Sequence, residues 1–138
     1  MLNQVLGGMV KTEACRGFRG MKLTIEMPWE KNLSVNHMRF GPGGYYRKKP
    51  EVQAWMRALS WELRALTRNY VFEVPVQLTV DFRFPDARTR DTHNYAKVLC
   101  DAVSGGIFVN DKDIRFIAGT VTVDKKQAGF TITVEDEG

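Results

Sequence analysis

The chain has 138 residues, 43% of them hydrophobic, and a formal net charge of +4. This length and composition suit one ordinary domain with its own core. No run approaches the 18 apolar residues of a membrane span, and no apolar stretch followed by a cleavage site opens the chain, so we expect a cytoplasmic protein rather than a membrane or secreted one.

Charge and cysteine content indicate the partner and the compartment. Three negative charges lie in Glu135–Glu137, so residues 1–134 carry +7. This moderate basic bias suits a polyanionic partner without establishing one. The two cysteines, Cys15 and Cys100, have no CxxC partner. We predict that both are free thiols in a reducing cytoplasm.

Residues 1–20 have no sustained hydrophobic period and contain four glycines. We predict that the domain begins near Met21 and spans 21–138. The first twenty residues would then be a disordered leader or an upstream extension. The alternative, a first helix or strand that packs on the core, stays open at this point.

The next segments alternate between strand, loop and helix signals. "LTIEM" predicts a strand that ends at Pro28, and residues 30–48 predict a loop whose "GPGG" tip is typical of a turn. From Pro50 to about Asn69, apolar residues recur at helical spacing. The apolar positions are Val52, Trp55, Leu59, Leu63 and Leu66, and the opposite face carries Arg57, Arg64 and Arg68.

The second half begins with the alternating segment "VPVQLTVDFRFP", which predicts a strand. A helix follows from about Thr92 to Val103, and we expect Gly105-Gly106 to end it. Then come a short strand at "IFV", a strand near 114–123, a turn around Asp124–Gly129 and a last strand, "FTITVE". The order β-α-β-α-β-β predicts a single compact α+β domain with a mixed sheet and helices packed on one face.

Asp91 stands at the predicted start of the second helix. Aspartate is a good N-cap, and a helix N-terminus favours the ionised carboxylate that a metal site needs. Asn94, Lys97 and Asp101 follow on one helical stripe. An ordinary cap and a solvated polar face would explain the same residues without any chemistry.

Helix geometry gives these residues different roles. At about 1.5 Å of rise per residue, Asp91 and Asp101 lie roughly 15 Å apart along the axis and cannot bind one metal ion. Asp101 is placed instead to pair with Lys97 at i,i+4. Asp111 follows the short return strand, and with Asp91 and position 93 it would form an oxygen-rich site for a hard divalent cation. Lys97 would neutralise charge developing on a phosphodiester.

The segment "RDTHNYAKVLCDAVSGGIFVNDKDI" resembles the core motif of the RusA family of Holliday-junction resolvases, common in phages and prophages. That motif has the form D-x-D-N-x-x-K-x-x-x-D-A, a spacer with glycine, an apolar pair and D-D. "MPWEKNLSVN" is similar to the family's opening turn. The resemblance extends from Met21 to the C-terminus. It implies a small α+β homodimer that cuts four-way DNA junctions symmetrically with Mg²⁺ or Mn²⁺ in recombination and repair.

Carried over position by position, the resemblance implies five functional residues. Asp91 and Asp111 would be catalytic and bind the metal ion, and Lys97 would be catalytic. Asn94 and Asp101 would be helper residues on the helix.

Two positions depart from the family motif. The second Asp of D-x-D is His93 here, and the first Asp of D-D is Asn110. Imidazole still binds metal, but it shifts the preference from Mg²⁺ towards Mn²⁺. His93 is therefore either a third ligand or a spoiled one in a weakened nuclease. Asp113 is a nearby carboxylate that would partly compensate.

Basic residues predict a DNA-binding surface beside this site. Residues 39–70 carry seven basic and two acidic side chains. The loop "GPGGYYRKKP" combines two aromatics with three adjacent positive charges, which suits phosphate contact and base stacking. A solvated surface loop is the alternative. The predicted contacts are Arg47, Lys48, Lys49, Arg83, Arg88 and Arg90.

Together these features favour a metal-dependent, structure-selective endodeoxyribonuclease that acts on branched DNA as a homodimer. One rival is a RusA-like protein that holds junctions without cutting them, because His93 and Asn110 have weakened the metal site. Another is a small regulatory or structural protein with the same fold. The dimer contact would come from the strand "QLTVDFRF" or from an apolar helix face.

Overall fold

The structure, a computed structural model, describes residues 12–16, 20–35, 39–40, 46–47, 49–68 and 70–136. Its strands are β1 (Thr12–Arg16), β2 (Met21–Pro28), β3 (Arg39–Phe40), β4 (Tyr46–Arg47), β5 (Val76–Phe84), β6 (Ile114–Val123) and β7 (Gly129–Glu135). Its helices are α1 (Pro50–Leu66) and α2 (Ala96–Ile107), with 3₁₀ turns at Thr92–Tyr95 and Asp111–Asp113. The predicted α+β class and the order β-α-β-α-β-β of the main elements after residue 20 are confirmed.

The main sheet is mixed and has the strand order β1-β2-β7-β5-β6. All neighbours are antiparallel except β5 and β6, which run parallel. A parallel pair needs a crossover connection, and α2 supplies it. The crossover carries the predicted site residues from the end of β5 to the start of β6.

Alternation along the strands separates a core face from a polar face. In β5 the apolar positions are buried and the residues between them are half-buried. One hydrophobic core contains the buried apolar side chains of the sheet and of both helices. The indole N–H of Trp55 on α1 donates to the carbonyl of Pro28 at 2.8 Å, which ties α1 to the end of β2. In the described part of the chain, no helix is long and apolar enough to span a membrane.

The end of α2 differs from the prediction. Gly105 and Gly106 lie inside the helix, which continues to Ile107 and ends at Phe108 in the left-handed conformation, with φ at 59°. A Cβ at position 106 would lie 2.7 Å from the Cβ of Leu63 and 2.9 Å from the carbonyl oxygen of Ser60. Gly106 therefore allows the close approach of α1 and α2 rather than ending the helix. The short strand expected at "IFV" does not form, because its first residue belongs to α2.

The segments around β2 contain more strand than expected. Within the predicted loop, β3 and β4 pair antiparallel, while the "GPGG" turn lies outside the described residues. Within the predicted leader, β1 pairs antiparallel with β2 along its whole length. The alternative of a first strand thus applies to residues 12–16, and the rest of the leader apart from Gly20 lies outside the described residues.

Candidate active site

Two connections leave the main sheet at the same end. Pro28 at the end of β2 pairs with Gly129, and Arg83 near the end of β5 pairs with the same glycine from the other side. Segments 29–35 and 85–91 therefore emerge side by side. A cavity of about 490 Å³ lies between them, which we call the cleft. The residues that line it include Trp29, Lys31, Arg88, Arg90, Asp91 and Asn94.

Arg90 forms a fixed part of the cleft wall. Its Nη1 and Nη2 donate to the two carboxylate oxygens of Asp86 at 2.8 and 3.3 Å. The guanidinium also lies over the rings of Trp29 and Phe84, 5.4 and 5.1 Å from their centroids. The hydrogen bond to Asp86 raises the pKa of Arg90, and the same bond is the main cause that lowers the pKa of Asp86 to about 2. These contacts of Arg90 fix the segment that leads to Asp91, the predicted catalytic carboxylate.

Asp91 lines the outer part of the cleft, and His93 lies beside it. Asp91 caps the 3₁₀ turn, and its Oδ1 accepts the backbone N–H of His93 at 2.9 Å. The Nδ1 atom of His93 lies 3.7 Å from the same oxygen, and both side chains are exposed. The His93 ring contacts the ring of Phe116 on β6, with the centroids 6.1 Å apart. The N-cap prediction is confirmed, although a 3₁₀ turn precedes α2.

The next turns of α2 carry the predicted lysine and its partner. The Nζ atom of Lys97 lies 3.3 Å from Oδ2 of Asp101, which confirms the i,i+4 pair. Between them, the pKa of the Cys100 thiol is raised to about 11, mainly by burial and in smaller part by the negative charges of Asp101 and Asp111. The turn that carries Asp111 packs against α2.

Asp111 and Asp113 sit in the 3₁₀ turn that opens β6. Asn110 caps this turn, its Oδ1 accepting the backbone N–H of Lys112 at 3.2 Å. Asp113 lies 3.5 Å from the Nζ atom of Lys112. Asn110, which replaces the first Asp of the D-D pair, thus has a structural role as the cap of this turn.

The structure brings two of the three predicted metal ligands together. Asp91 and His93 offer an oxygen and a nitrogen at the rim, a pair that fits one edge of a divalent-cation site. Among the residues that the structure describes, no three His, Cys, Asp or Glu side chains are gathered closely enough to hold a metal ion. Asp111 stays a predicted third ligand.

Two of the predicted DNA contacts form close ion pairs within the fold. Arg83 on β5 points to the polar face of the sheet, where its Nη2 lies 2.8 Å from Oε1 of Glu26. Arg90 is bound by Asp86, and its side chain is only 15% exposed. Glu26 is 57 residues away from Arg83 in the chain, so no local pattern predicts that ion pair.

The other four predicted contacts differ in what the structure describes. Arg88 borders the cleft and its side chain is 77% exposed. Lys49 donates to Oδ1 of Asn32 at 3.1 Å, before the start of α1. The side chain of Arg47 and the whole of Lys48 lie outside the described residues.

Lys31 is a cleft residue that the sequence reasoning missed. It lies in a turn that is stabilised by hydrogen bonds between its own residues. Glu30 accepts hydrogen bonds from the backbone and side-chain nitrogens of the buried Asn32, at 3.0 and 2.9 Å. Ser34, Thr89 and Tyr95 also line the cleft and were not singled out. A signal existed, because "MPWEKN" was one of the two segments that carried the resemblance.

Comparisons with known proteins cover the same part of the chain. The family model described as "Endodeoxyribonuclease RusA" matches residues 21–135. A curated relative named "Crossover junction endodeoxyribonuclease RusA", from Aquifex aeolicus (strain VF5), is 27% identical over 93 residues, which are 67% of this chain and 74% of the relative. The family match contains both connections, the cleft and both 3₁₀ turns.

Proposed function

Because the chain belongs to the RusA family of endodeoxyribonucleases, we propose that it is a metal-dependent, structure-selective nuclease that resolves four-way DNA junctions in recombination and repair. The position of Asp91 carries this proposal. Its exposed carboxylate lies at the rim of the cleft, within the matched residues and beside exposed cations. Metal-dependent phosphodiester hydrolysis requires a carboxylate that binds the cation. It also requires positive charge nearby that binds the phosphates.

Asp91, His93 and Asp111 are the residues that would hold the metal ion. Bound Mg²⁺ or Mn²⁺ supplies Lewis acidity and lowers the pKa of a coordinated water. The side chains of Asp91 and His93 are 65% and 77% exposed, so both are accessible to a metal ion from solvent. The imidazole favours Mn²⁺ over Mg²⁺, since Mg²⁺ prefers oxygen ligands.

Lys97 stabilises the negative charge that develops on the phosphate in the transition state. Its side chain is about half exposed, and its ammonium group is paired with Asp101 on the same face of α2. Asn94 lies on the cleft wall, where its amide can hydrogen-bond to the DNA strand. Asp113 supports the site as a nearby carboxylate.

Symmetric resolution of a four-way junction needs two active sites related by a two-fold axis. We therefore include a homodimer in the proposed function. Each protomer would cut one of two opposite strands with its own Asp91.

The substitutions His93 and Asn110 support a second candidate function, a RusA-like protein that binds junctions without cutting them. Incubation of the purified chain with a synthetic four-way junction in Mg²⁺ or Mn²⁺ separates the two. Paired symmetric cuts are expected, and stronger with Mn²⁺. A shifted band without cleavage under either metal would favour the binding protein, and no shift and no cleavage would contradict both.

A further inference from the structure

Two exposed cationic side chains, Lys31 and Arg88, line the cleft and make few contacts with the rest of the fold. Lys31 is exposed and forms no ion pair with any residue that the structure describes. Arg88 is 77% exposed and lies 4.0 Å from Asp86, whose carboxylate already accepts two hydrogen bonds from Arg90. The two cations come from the two different connections that border the cleft. A ligand between the connections would therefore meet positive charge from both sides.

The size of the cleft limits what can enter it. Its volume of about 490 Å³ lies within the roughly 300–1,000 Å³ range of small-molecule sites. A group the size of one nucleotide fits this volume, whereas a DNA duplex does not. The cleft therefore suits one nucleotide that has left its base-paired stack.

The cleft wall is fixed before any ligand arrives. The ring of Trp29 stacks on Phe130 at 5.4 Å with an interplanar angle of 19°, and it also carries the Arg90 guanidinium. Trp29 is thus occupied by the core and by Arg90 rather than available for base stacking. Recognition of a ligand in the cleft therefore depends on the exposed cations and polar groups that line it.

On the polar face of the sheet, two of the described cations are paired with carboxylates. There Arg83 is paired with Glu26, and Lys22 lies 3.8 Å from Glu135. These two cations are therefore less available to a phosphate than Lys31 and Arg88. Lys22 and Arg115 lie near the other end of the sheet. Lys22 pairs with Glu135 near the start of β2, and Arg115 pairs with Gln77 near the start of β5.

We propose that the cleft is a binding subsite for one unpaired nucleotide of the DNA strand, with its phosphate held between Lys31 and Arg88. This inference rests on the proposed function, since Asp91 at the rim would then face the neighbouring phosphodiester. Extruding a nucleotide from an intact duplex costs stacking and pairing energy, and this cost is smallest where the base is already unpaired. The subsite would therefore make the protein selective for branch points and single strands.

The test measures binding without cleavage, in the full-length chain carrying Asp91→Asn. The affinities for a four-way junction, a single-stranded oligonucleotide and a linear duplex are compared before and after adding Lys31→Gln with Arg88→Gln. We expect the junction and single-strand affinities to fall about tenfold. The slope of log K against log salt for the single strand should fall by about 0.7, the value for one phosphate. Duplex affinity should change less than about twofold.

Two control proteins make the result specific. Lys22→Gln with Arg115→Gln removes the same charge at the far end of the sheet and should change all three affinities alike and weakly. Lys31→Arg with Arg88→Lys keeps the charge in the cleft and should retain most junction affinity, while unchanged duplex affinity of the Gln variant excludes a folding defect in it. Equal losses for junction and duplex, or no loss for either, would overturn the subsite. Absence of cutting by the wild type would defeat the proposed nuclease but would leave this binding comparison intact.

Discussion

Asp91 is oriented by its own turn and by the residue before it. Its carboxylate accepts the His93 N–H, and Arg90 is held by Asp86 and by two aromatic rings. The carboxylate therefore has its position without help from a ligand. Preorganisation of this kind lowers the reorganisation needed at the moment of reaction.

Asp91→Asn should abolish cleavage and preserve binding. Asparagine caps a helical turn as well as aspartate does, so the fold should survive. We expect cleavage to fall by at least about 10²-fold, since the charge for the cation is lost. Junction affinity should stay within about twofold, because lysine and arginine supply it. A folded variant that loses binding together with cutting in gel assays would contradict the role given to Asp91.

His93→Asp should restore Mg²⁺-supported cutting. The change returns a carboxylate to the position where the family motif has one, and Mg²⁺ prefers oxygen ligands. Cleavage of a four-way junction is compared in Mg²⁺ and Mn²⁺, with His93→Ala as the variant that removes the ligand without replacing it. If His93→Asp has unchanged or lower Mg²⁺ activity, His93 does not occupy a ligand position, and Asp113→Asn becomes the next variant to measure.

Cys100 should react slowly with thiol reagents. A thiol whose pKa is raised to about 11 stays neutral until the pH approaches that value, so at pH 8 about one molecule in a thousand is thiolate. Alkylation by iodoacetamide, followed by mass spectrometry in a Cys15→Ser background, should be about a hundredfold slower than that of an ordinary thiol. It should accelerate as the pH rises towards 11. Rapid alkylation at pH 8 would show that partial burial does not raise the pKa of Cys100.

At the level of elements, the alternating strands β5 and β7 follow from the sequence, whereas the short strands and the helix contacts do not. The period of two in β5 and β7 is local, and it predicts both their extent and their buried positions. Gly105-Gly106 has the local signature of a helix end, yet its surroundings are set by α1, some forty residues earlier. The same limit applies to Arg83, whose partner Glu26 lies on β2. Contacts between distant segments are what a local pattern cannot show.

The two glycines of α2 should respond differently to alanine. At position 106 a Cβ would meet the Leu63 Cβ and the Ser60 carbonyl below 3.0 Å, whereas at position 105 the nearest atom is the Ser60 Oγ at 3.4 Å. Gly106→Ala should therefore destabilise the fold by about 1–3 kcal/mol through overpacking. Gly105→Ala should be neutral or stabilise it by up to about 1 kcal/mol, because alanine favours the helix. Urea unfolding of both variants measures the difference, and equal stabilities would contradict the close helix contact.

At the level of the whole molecule, the Asp136 carboxylate connects three segments of the chain by hydrogen bonds, away from the candidate active site. The Asp136 side chain accepts hydrogen bonds from the backbone N–H of Met21, the hydroxyl of Tyr70 and the backbone N–H of Glu73, at 2.8, 2.9 and 2.7 Å. It connects the start of β2, the segment after α1 and the end of β7. These hydrogen bonds lie within residues 21–136, and β1 pairs with β2 at the edge of the sheet.

Removal of residues 1–20 should therefore leave the domain folded and able to bind junctions. Met21 becomes the first residue, and its new ammonium group keeps the position beside the Asp136 carboxylate. Strand β2 stays anchored by its seven register pairs with β7, but it loses β1 and becomes an edge strand. We expect the Tm to change by less than about 5 °C and self-association to increase at high concentration, because an uncovered edge strand can pair with another chain. Thermal melts and light scattering of chains 1–138, 12–138 and 21–138 measure both effects. A larger loss of Tm in 21–138 than in 12–138 would show that β1 belongs to the folding unit and that the domain begins near residue 12.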